Sequence, residues 1–246
     1  MSTPLLSIIT VCRNAQATIE KALDSVAAEK SSAIEYIVVD GASTDATLSL
    51  IKARTGLVDR LISESDTGIY DAMNKGAAGA TGEYVCYLNA DDAYLPGALS
   101  ALLAQIRVHS DVGMFYGDWV GIDVNGKSIE RKSSPHLGWR YQLCHQAMAL
   151  RRDVLGSHPF DERYKVCADF DSILKWLDST PSFRVPFPMV RFSQAGVSNT
   201  DVGRAANESM RIAIRRRGWA KAWRFCVMTM LYWVKSNIKS FVKLIR

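Results

Sequence analysis

The chain is expected to be an α/β protein built on a mostly parallel sheet. Three observations point there. Short runs rich in Val, Ile and Leu recur through the first 117 residues. Segments with helical patterning separate them, at the spacing of β-α-β units. The runs are nearly continuous in apolar residues, as strands covered on both faces require. In order, Leu6–Val11 is the first strand and Ala15–Ala28 a helix. Ile34–Asp40 is the second strand, and Gly41–Asp45 turns into a helix that ends near Arg54. Leu57–Ser63 is a third strand, Ile69–Ala78 a helix, Glu83–Leu88 a fourth strand, Pro96–His109 a helix and Val112–Tyr116 a fifth strand.

Beyond residue 117 the pattern changes. Trp119–Asp123 and Lys127–Arg131 flank Asn125-Gly126, a strong hairpin signal. Gln146–Leu150 and a proline-interrupted Arg184–Val190 read as strands, and Asp169–Leu177 and Asp201–Arg217 as helices. This half is expected to complete the same domain.

Composition is that of a folded globular chain: 246 residues, 48% apolar and 22% charged, which excludes a disordered or low-complexity protein. The five cysteines (12, 86, 144, 167 and 226) are odd in number and include no C-x-x-C pair, against a disulfide framework or structural zinc. A reducing compartment is expected. Met1–Leu6 shows no basic region ahead of an apolar run, and no stretch of 18 apolar residues occurs, so neither a secretory signal nor a membrane span is expected. The formal charge of +5 hides an asymmetry. Residues 209–246 hold ten bases and no acid, which leaves −5 on residues 1–208. A polyanionic partner for this end is expected, either a membrane surface or nucleic acid.

In sheets of this kind ligands bind beyond the carboxyl ends of the strands, so the polar residues there are the candidates. Asp40 closes the second strand; it either accepts hydrogen bonds from a ligand or bonds its own turn. Asn89-Ala90-Asp91-Asp92 follows the fourth strand. Adjacent acids repel unless a cation or donor offsets them, and a hard divalent ion with oxygen ligands fits; alternatively Asp92 caps the next helix. Asp169 opens a helix, as its cap or as a general base. Lys75 faces a phosphate or solvent. His145 contacts a phosphate or acceptor, or is a structural hydrogen-bonder.

Five ordered segments resemble family 2 glycosyltransferases of the GT-A fold, and in particular those of bacterial surface-polysaccharide assembly (colanic-acid or O-antigen type). They are Ser7–Asn14 (S-I-I-T-V-C-R-N), Glu35–Asp45 (E-Y-I-V-V-D-G-A-S-T-D), Glu64–Gly76 (E-S-D-T-G-I-Y-D-A-M-N-K-G), Gly82–Pro96 (G-E-Y-V-C-Y-L-N-A-D-D-A-Y-L-P) and Ala168–Trp176 (A-D-F-D-S-I-L-K-W). The resemblance runs from about Leu6 to Arg191. It implies a Rossmann-like central sheet flanked by helices. A nucleotide-sugar half lies at about 1–117 and an acceptor half at about 118–208, with 209–246 a basic amphipathic helical tail. By the same resemblance Asp40 reads the nucleotide base, with Thr10, Val11 and Arg13 lining its site. Asp66 and Lys75 lie near the ribose and diphosphate. Asn89, Ala90 and Asp91 occupy the DXD position, Asp91 is the ligand of Mg²⁺ or Mn²⁺, and Asp169 is the base. Asp92 and His145 are possible acceptor or phosphate contacts. Two departures stand out: Asn89 replaces the first acid of DXD, and Ala168 replaces a frequent Glu. A Q-x-x-R-W motif, expected of processive polymerases, is not evident.

The reaction so implied moves one sugar, with inversion, from a nucleoside-diphosphate sugar (UDP favoured) to a hydroxyl of a lipid-linked saccharide. In the tail, the apolar run Phe225–Val234 is about 15 Å long as a helix, against about 30 Å for a bilayer core. Lys235, Lys239, Lys243 and Arg246 share one helical face, and Val234, Ile238, Phe241 and Ile245 another. With Trp219, Trp223 and Trp233 this reads as a helix lying in a membrane interface, or else packed on the body or in a dimer contact. The expected location is the cytoplasmic side of the inner membrane, peripherally bound to anionic lipid, with no nucleic-acid partner. Two alternatives remain. A sugar-1-phosphate nucleotidyltransferase would want a Gly-rich, Arg-containing loop after the first strand, which V-C-R-N-A-Q is not. The other is a non-catalytic nucleotide-sugar-binding membrane adaptor.

Overall fold

A computed structural model describes residues 3–122, 126–135, 143–193 and 201–219. Its strands are β1 (Leu6–Cys12), β2 (Ile34–Asp40), β3 (Arg60–Ser63), β4 (Tyr84–Asn89), β5 (Ala93–Tyr94), β6 (Met114–Ile122), β7 (Ser128–Arg131), β8 (Met148–Arg151) and β9 (Ser182–Ser193). Its α-helices are α1 (Ile19–Ala27), α2 (Thr47–Lys52), α3 (Ile69–Gly79), α4 (Ala98–Val108), α5 (Arg152–Leu155), α6 (Ala168–Ser179) and α7 (Val202–Arg217). All strands join one sheet in the order β3-β2-β1-β4-β8-β6-β9-β5, with β7 paired to β6. The β3-β2-β1-β4 block is parallel throughout. β6 and β9 run in the same direction as that block, because β8 is antiparallel to both β4 and β6.

The sequence explains the layering. Every residue of β1 is buried, and the side chains alternate between two cores. Ile8 joins α1 and α4 on one face, whereas Ile9 joins α3 and α6 on the other. A strand of period two between two helical layers is buried at every position, so its residues are apolar or, as at Ser7 and Thr10, hydrogen-bonded to neighbouring segments. Gly76 of α3 is the point of closest approach, since a Cβ there would lie 2.4 Å from Ile9 Cγ2. From β1 the chain adds β2 and β3 on one side and β4 on the other. The order reverses between β1 and β4, and a crevice opens at their carboxyl ends.

Differences from expectation lie mainly in the second half. The fifth strand and the first hairpin strand are one nine-residue strand, β6. Gly117 and Asp118 look like a break, but they mark an irregular register against β9. A Cβ at Gly117 would meet the Phe187 carbonyl oxygen at 2.9 Å. The prolines of β9 sit at the same irregularity, with Pro188 opposite Asp118. The hairpin forms, with Ile122 paired to Ser128. Gln146 falls in a 3-10 turn, His145–Ala147, that precedes β8.

The boundary expected at residue 208 falls inside α7. Three of the bases beyond it are neutralised by the body: Arg215 pairs with Asp161, Arg216 with Asp171 and Arg217 with Asp178. The amphipathic tail beyond Trp219 lies outside the described residues. No helix among the described residues is long and apolar enough to cross a membrane.

Candidate functional site

The crevice at the β1/β4 switch point is a cleft of about 520 Å³. Val11, Cys12, Arg13 and Asn14 line it from the end of β1, and Asn89, Ala90 and Asp91 from the end of β4. Tyr70, His145 and Asp169 face it from α3, the 3-10 turn and the first turn of α6. Besides Val11 and Arg13 of the β1 end, five expected site residues from separate segments come together here: Asn89, Ala90, Asp91, His145 and Asp169.

Asp169 is held on both oxygens. His145 Nδ1 lies 3.2 Å from Oδ2, and the Tyr70 hydroxyl 2.9 Å from Oδ1. That hydroxyl is also 2.9 Å from the Val166 carbonyl oxygen, so its single proton is shared between two acceptors. Burial works to raise the Asp169 pKa, but the hydrogen bond and charge of His145, with the Tyr70 hydroxyl, outweigh it. The carboxyl is therefore held below its ordinary range and is ionised at neutral pH, as a base must be. Desolvation and the neighbouring Asp169 push the Tyr70 hydroxyl well up, so it stays a donor.

At the other end, Asp91 is half-buried on the cleft wall. Asn89 Oδ1 is buried with no hydrogen-bond partner among the described residues. An orphaned amide oxygen beside a cleft carboxylate is a donor set of hard oxygens, which suits Mg²⁺ or Mn²⁺. Among the described residues no group of three His, Cys, Asp or Glu forms a cage for a metal. The residues present thus fit an ion that takes most of its ligands from phosphate and water.

Several expected contacts are placed elsewhere. Asp40 is fully buried below the cleft. It accepts hydrogen bonds from the Ser43 hydroxyl and backbone N–H, and from the Ser63 hydroxyl at 2.8 Å. Its carboxylate is engaged by its own turn, and the thiol of Cys12, which lines the cleft, lies 3.8 Å from it. Thr10 is fully buried and accepts from the Tyr36 hydroxyl at 3.0 Å, so it lies in the core beneath Val11 and is not part of the cleft lining. Lys75 is tied to the Ser65 carbonyl, Glu64 and Asp71 on the outer side of α3, away from the cleft lining. Asp66 accepts the Gly68 N–H at 3.0 Å and packs on Gly41, where a Cβ would collide with it. Asp92 turns into the core and accepts the Ser193 N–H at 2.8 Å. Burial and the charge of Asp91 drive its pKa well up. It is neither a cap of α4 nor a cleft contact.

A profile of the family described as Glycosyl transferase family 2 matches residues 7–160, more than half of the chain. The chain belongs to glycosyltransferase family 2. A relative, the PGL/p-HBAD biosynthesis glycosyltransferase of Mycobacterium bovis (strain BCG / Pasteur 1173P2), is 36% identical over 176 residues, covering 70% of this chain and 69% of its own. Among solved structures, S. aureus TarS 1-349 in complex with UDP-GlcNAc superposes with a TM-score of 0.68 at 18% identity, over 90% of this chain and 70% of its own. The mannosyltransferase PcManGT from Pyrobaculum calidifontis, in complex with GDP-Man and Mn²⁺, gives 0.64 at 20% identity, over 87% and 65%. The fold of this family 2 enzyme is GT-A.

Some residues of the site give no local signal. Tyr70 carries no charge to single it out, whereas Asn14 is, with Arg13, one of the polar residues expected just beyond the first strand. Asn14 adopts a left-handed φ of 49°, tolerated by Asn, and binds the 43–44 turn through its N–H and Oδ1. His145 is in the cleft as expected, and its partner in the protein is the Asp169 carboxylate.

Proposed function

We propose that this glycosyltransferase transfers one sugar, with inversion, from a UDP-sugar to a lipid-linked saccharide, using Asp169 as general base. One observation carries the proposal: a carboxylate held ionised by His145 and Tyr70 shares a cleft with the oxygen donors Asn89 and Asp91. Arg13 and Asn14 flank the entrance on the nucleotide side. Asn89 and Asp91 would hold Mg²⁺ or Mn²⁺ against the diphosphate. A divalent ion there supplies positive charge where the leaving diphosphate becomes more negative. Asp169 Oδ takes the proton of the acceptor hydroxyl as its oxygen attacks the anomeric carbon, and the diphosphate departs with the bonding pair. His145 and Tyr70 keep the carboxylate aimed and ionised. The UDP-GlcNAc and GDP-Man complexes of the two structural neighbours support a nucleotide-sugar donor.

A panel of UDP- and GDP-sugars tests the donor assignment through thermal shift and hydrolysis with Mn²⁺. A UDP-sugar is expected to give the largest shift and a metal-dependent hydrolysis rate. A response confined to GDP-sugars overturns the UDP assignment, and no response to either overturns the donor site.

The lipid-linked acceptor rests on the basic, Trp-rich sequence after α7, which matches an interfacial helix on the cytoplasmic face of an anionic membrane. Deleting residues 219–246 is expected to abolish co-sedimentation with anionic vesicles and to spare donor hydrolysis. Undiminished sedimentation after the deletion disproves the membrane role.

A further inference from the structure

The helix that carries the base has no cap of its own. Its N-cap residue is Cys167, which makes no side-chain capping bond. The three preceding backbone N–H groups instead converge on one carboxylate from the far end of the sequence. Glu208 of α7 accepts Lys165 N–H at 2.9 Å on Oε1, and Val166 and Cys167 N–H at 2.9 and 3.0 Å on Oε2. Glu208 is only 7% exposed. We propose that Glu208 is a positioning residue for the reaction: it sets the start of α6 so that Asp169 meets His145 and Tyr70. This inference rests on the assignment of Asp169 as base.

The argument is geometric. Ser, Thr, Asp or Asn at position 167 would satisfy an orphan N–H locally. A buried carboxylate brought from 41 to 43 residues away does more, because three charge-assisted bonds fix both the height and the rotation of the segment before Asp169. The same segment is gripped from its other side, where the Val166 carbonyl accepts the Tyr70 hydroxyl that also touches Asp169. A second tether from α7 lies just beyond. Arg216 makes two hydrogen bonds to Asp171, which is 3% exposed. Asp169 therefore sits between two anchor points supplied by α7. The cleft contacts on the nucleotide side come from the ends of β1 and β4, whereas the hydrogen bonds of Glu208 and Arg216 reach α6 and the segment before it. Loss of Glu208 should move the base without disturbing nucleotide binding.

The test uses the full chain with Glu208→Ala, Glu208→Gln and Asp169→Asn. UDP with Mn²⁺ is titrated calorimetrically, the ¹⁵N resonance of His145 Nδ1 is recorded in histidine-labelled protein, and UDP-sugar hydrolysis is timed. Glu208→Ala is expected to bind UDP at full stoichiometry and unchanged affinity. Its turnover should fall about 10- to 100-fold, the scale of a base displaced by about 1 Å. The Nδ1 resonance should move toward its position in Asp169→Asn. Glu208→Gln keeps one oxygen acceptor and should recover part of both effects. The proposal is overturned if the His145 resonance stays at its wild-type position in both Glu208 variants. It is equally overturned if turnover falls only in proportion to the UDP sites lost, the result of a merely structural role. The resonance reads the Asp169 contact whether or not Asp169 proves to be the base. Full turnover in Asp169→Asn would thus fail the catalytic assignment separately.

Discussion

Replacing Asp169 by Asn is expected to lower turnover by about 10²–10⁴-fold, the usual contribution of a positioned general base, which is about 2.7–5.5 kcal/mol of barrier. Asn keeps the volume and can still bond His145 and Tyr70, so the fold and the UDP affinity should stand. Only the capacity to accept a proton is removed. The pH dependence carries the same assignment. Burial alone would raise the Asp169 pKa, but His145 and Tyr70 bring it below the ordinary value. A base is lost when it is protonated, so activity should persist as pH falls through the ordinary carboxyl range near 3.9 and fail only below it. Replacing His145 by Asn removes the partner that does most of the lowering, and the acid limb should then move up. Steady-state kinetics across acid pH, with calorimetric UDP binding as the control, check both statements. Near-wild-type turnover in Asp169→Asn would refute the base.

Replacing Asp91 by Ala is expected to remove the metal-dependent part of both UDP affinity and turnover. Asp91 is the carboxylate at the β4 end of the cleft, because Asp92 faces the core and Asn89 carries no charge. Among the described residues, the cleft's other carboxylate is Asp169, on α6 and not at the end of β4. Removal of one transition-state electrostatic contact of this kind costs about 10²–10³-fold, and loss of the ion's holder should reach at least that. The check is UDP titration with and without Mn²⁺, followed by turnover in chelator. Asp91→Ala should show the same weak binding under both metal conditions, and wild type should fall to that level in chelator. A variant that retains the full Mn²⁺ increment would remove Asp91 from the metal site.

The parallel core was legible because it is governed by local chemistry. β1, β2 and β4 are buried on both faces, and such strands must be written in consecutive apolar residues. The switch point follows from their order, which is why Asn89 and Asp91 could be singled out as strand-end candidates, whereas Asp169, at the start of a helix, was picked out as the base only by the family resemblance. What was not legible depends on distant partners. Asp118 looks like a break in a strand, but it is buried and satisfied by Arg184, 66 residues away. Lys75 looks like a phosphate ligand until α3 folds against Glu64. Asp40 reads equally as turn residue and ligand, and Ser63 from the neighbouring strand engages it as part of the turn. The triad of Tyr70, His145 and Asp169 comes from three separate elements, so no spacing could announce it. Part of the charge of α7 also depends on distant partners. Arg215, Arg216 and Arg217 form a basic run in the sequence but close ion pairs with the body.

The account turns on direct displacement at the anomeric carbon, with Asp169 accepting a proton and never bonding to the sugar. The ¹H coupling constant of the anomeric proton in the first-formed product, from a UDP-α-sugar, measures this directly. The account predicts a β-configured product. An α-configured product would mean that the configuration is retained, and would contradict it.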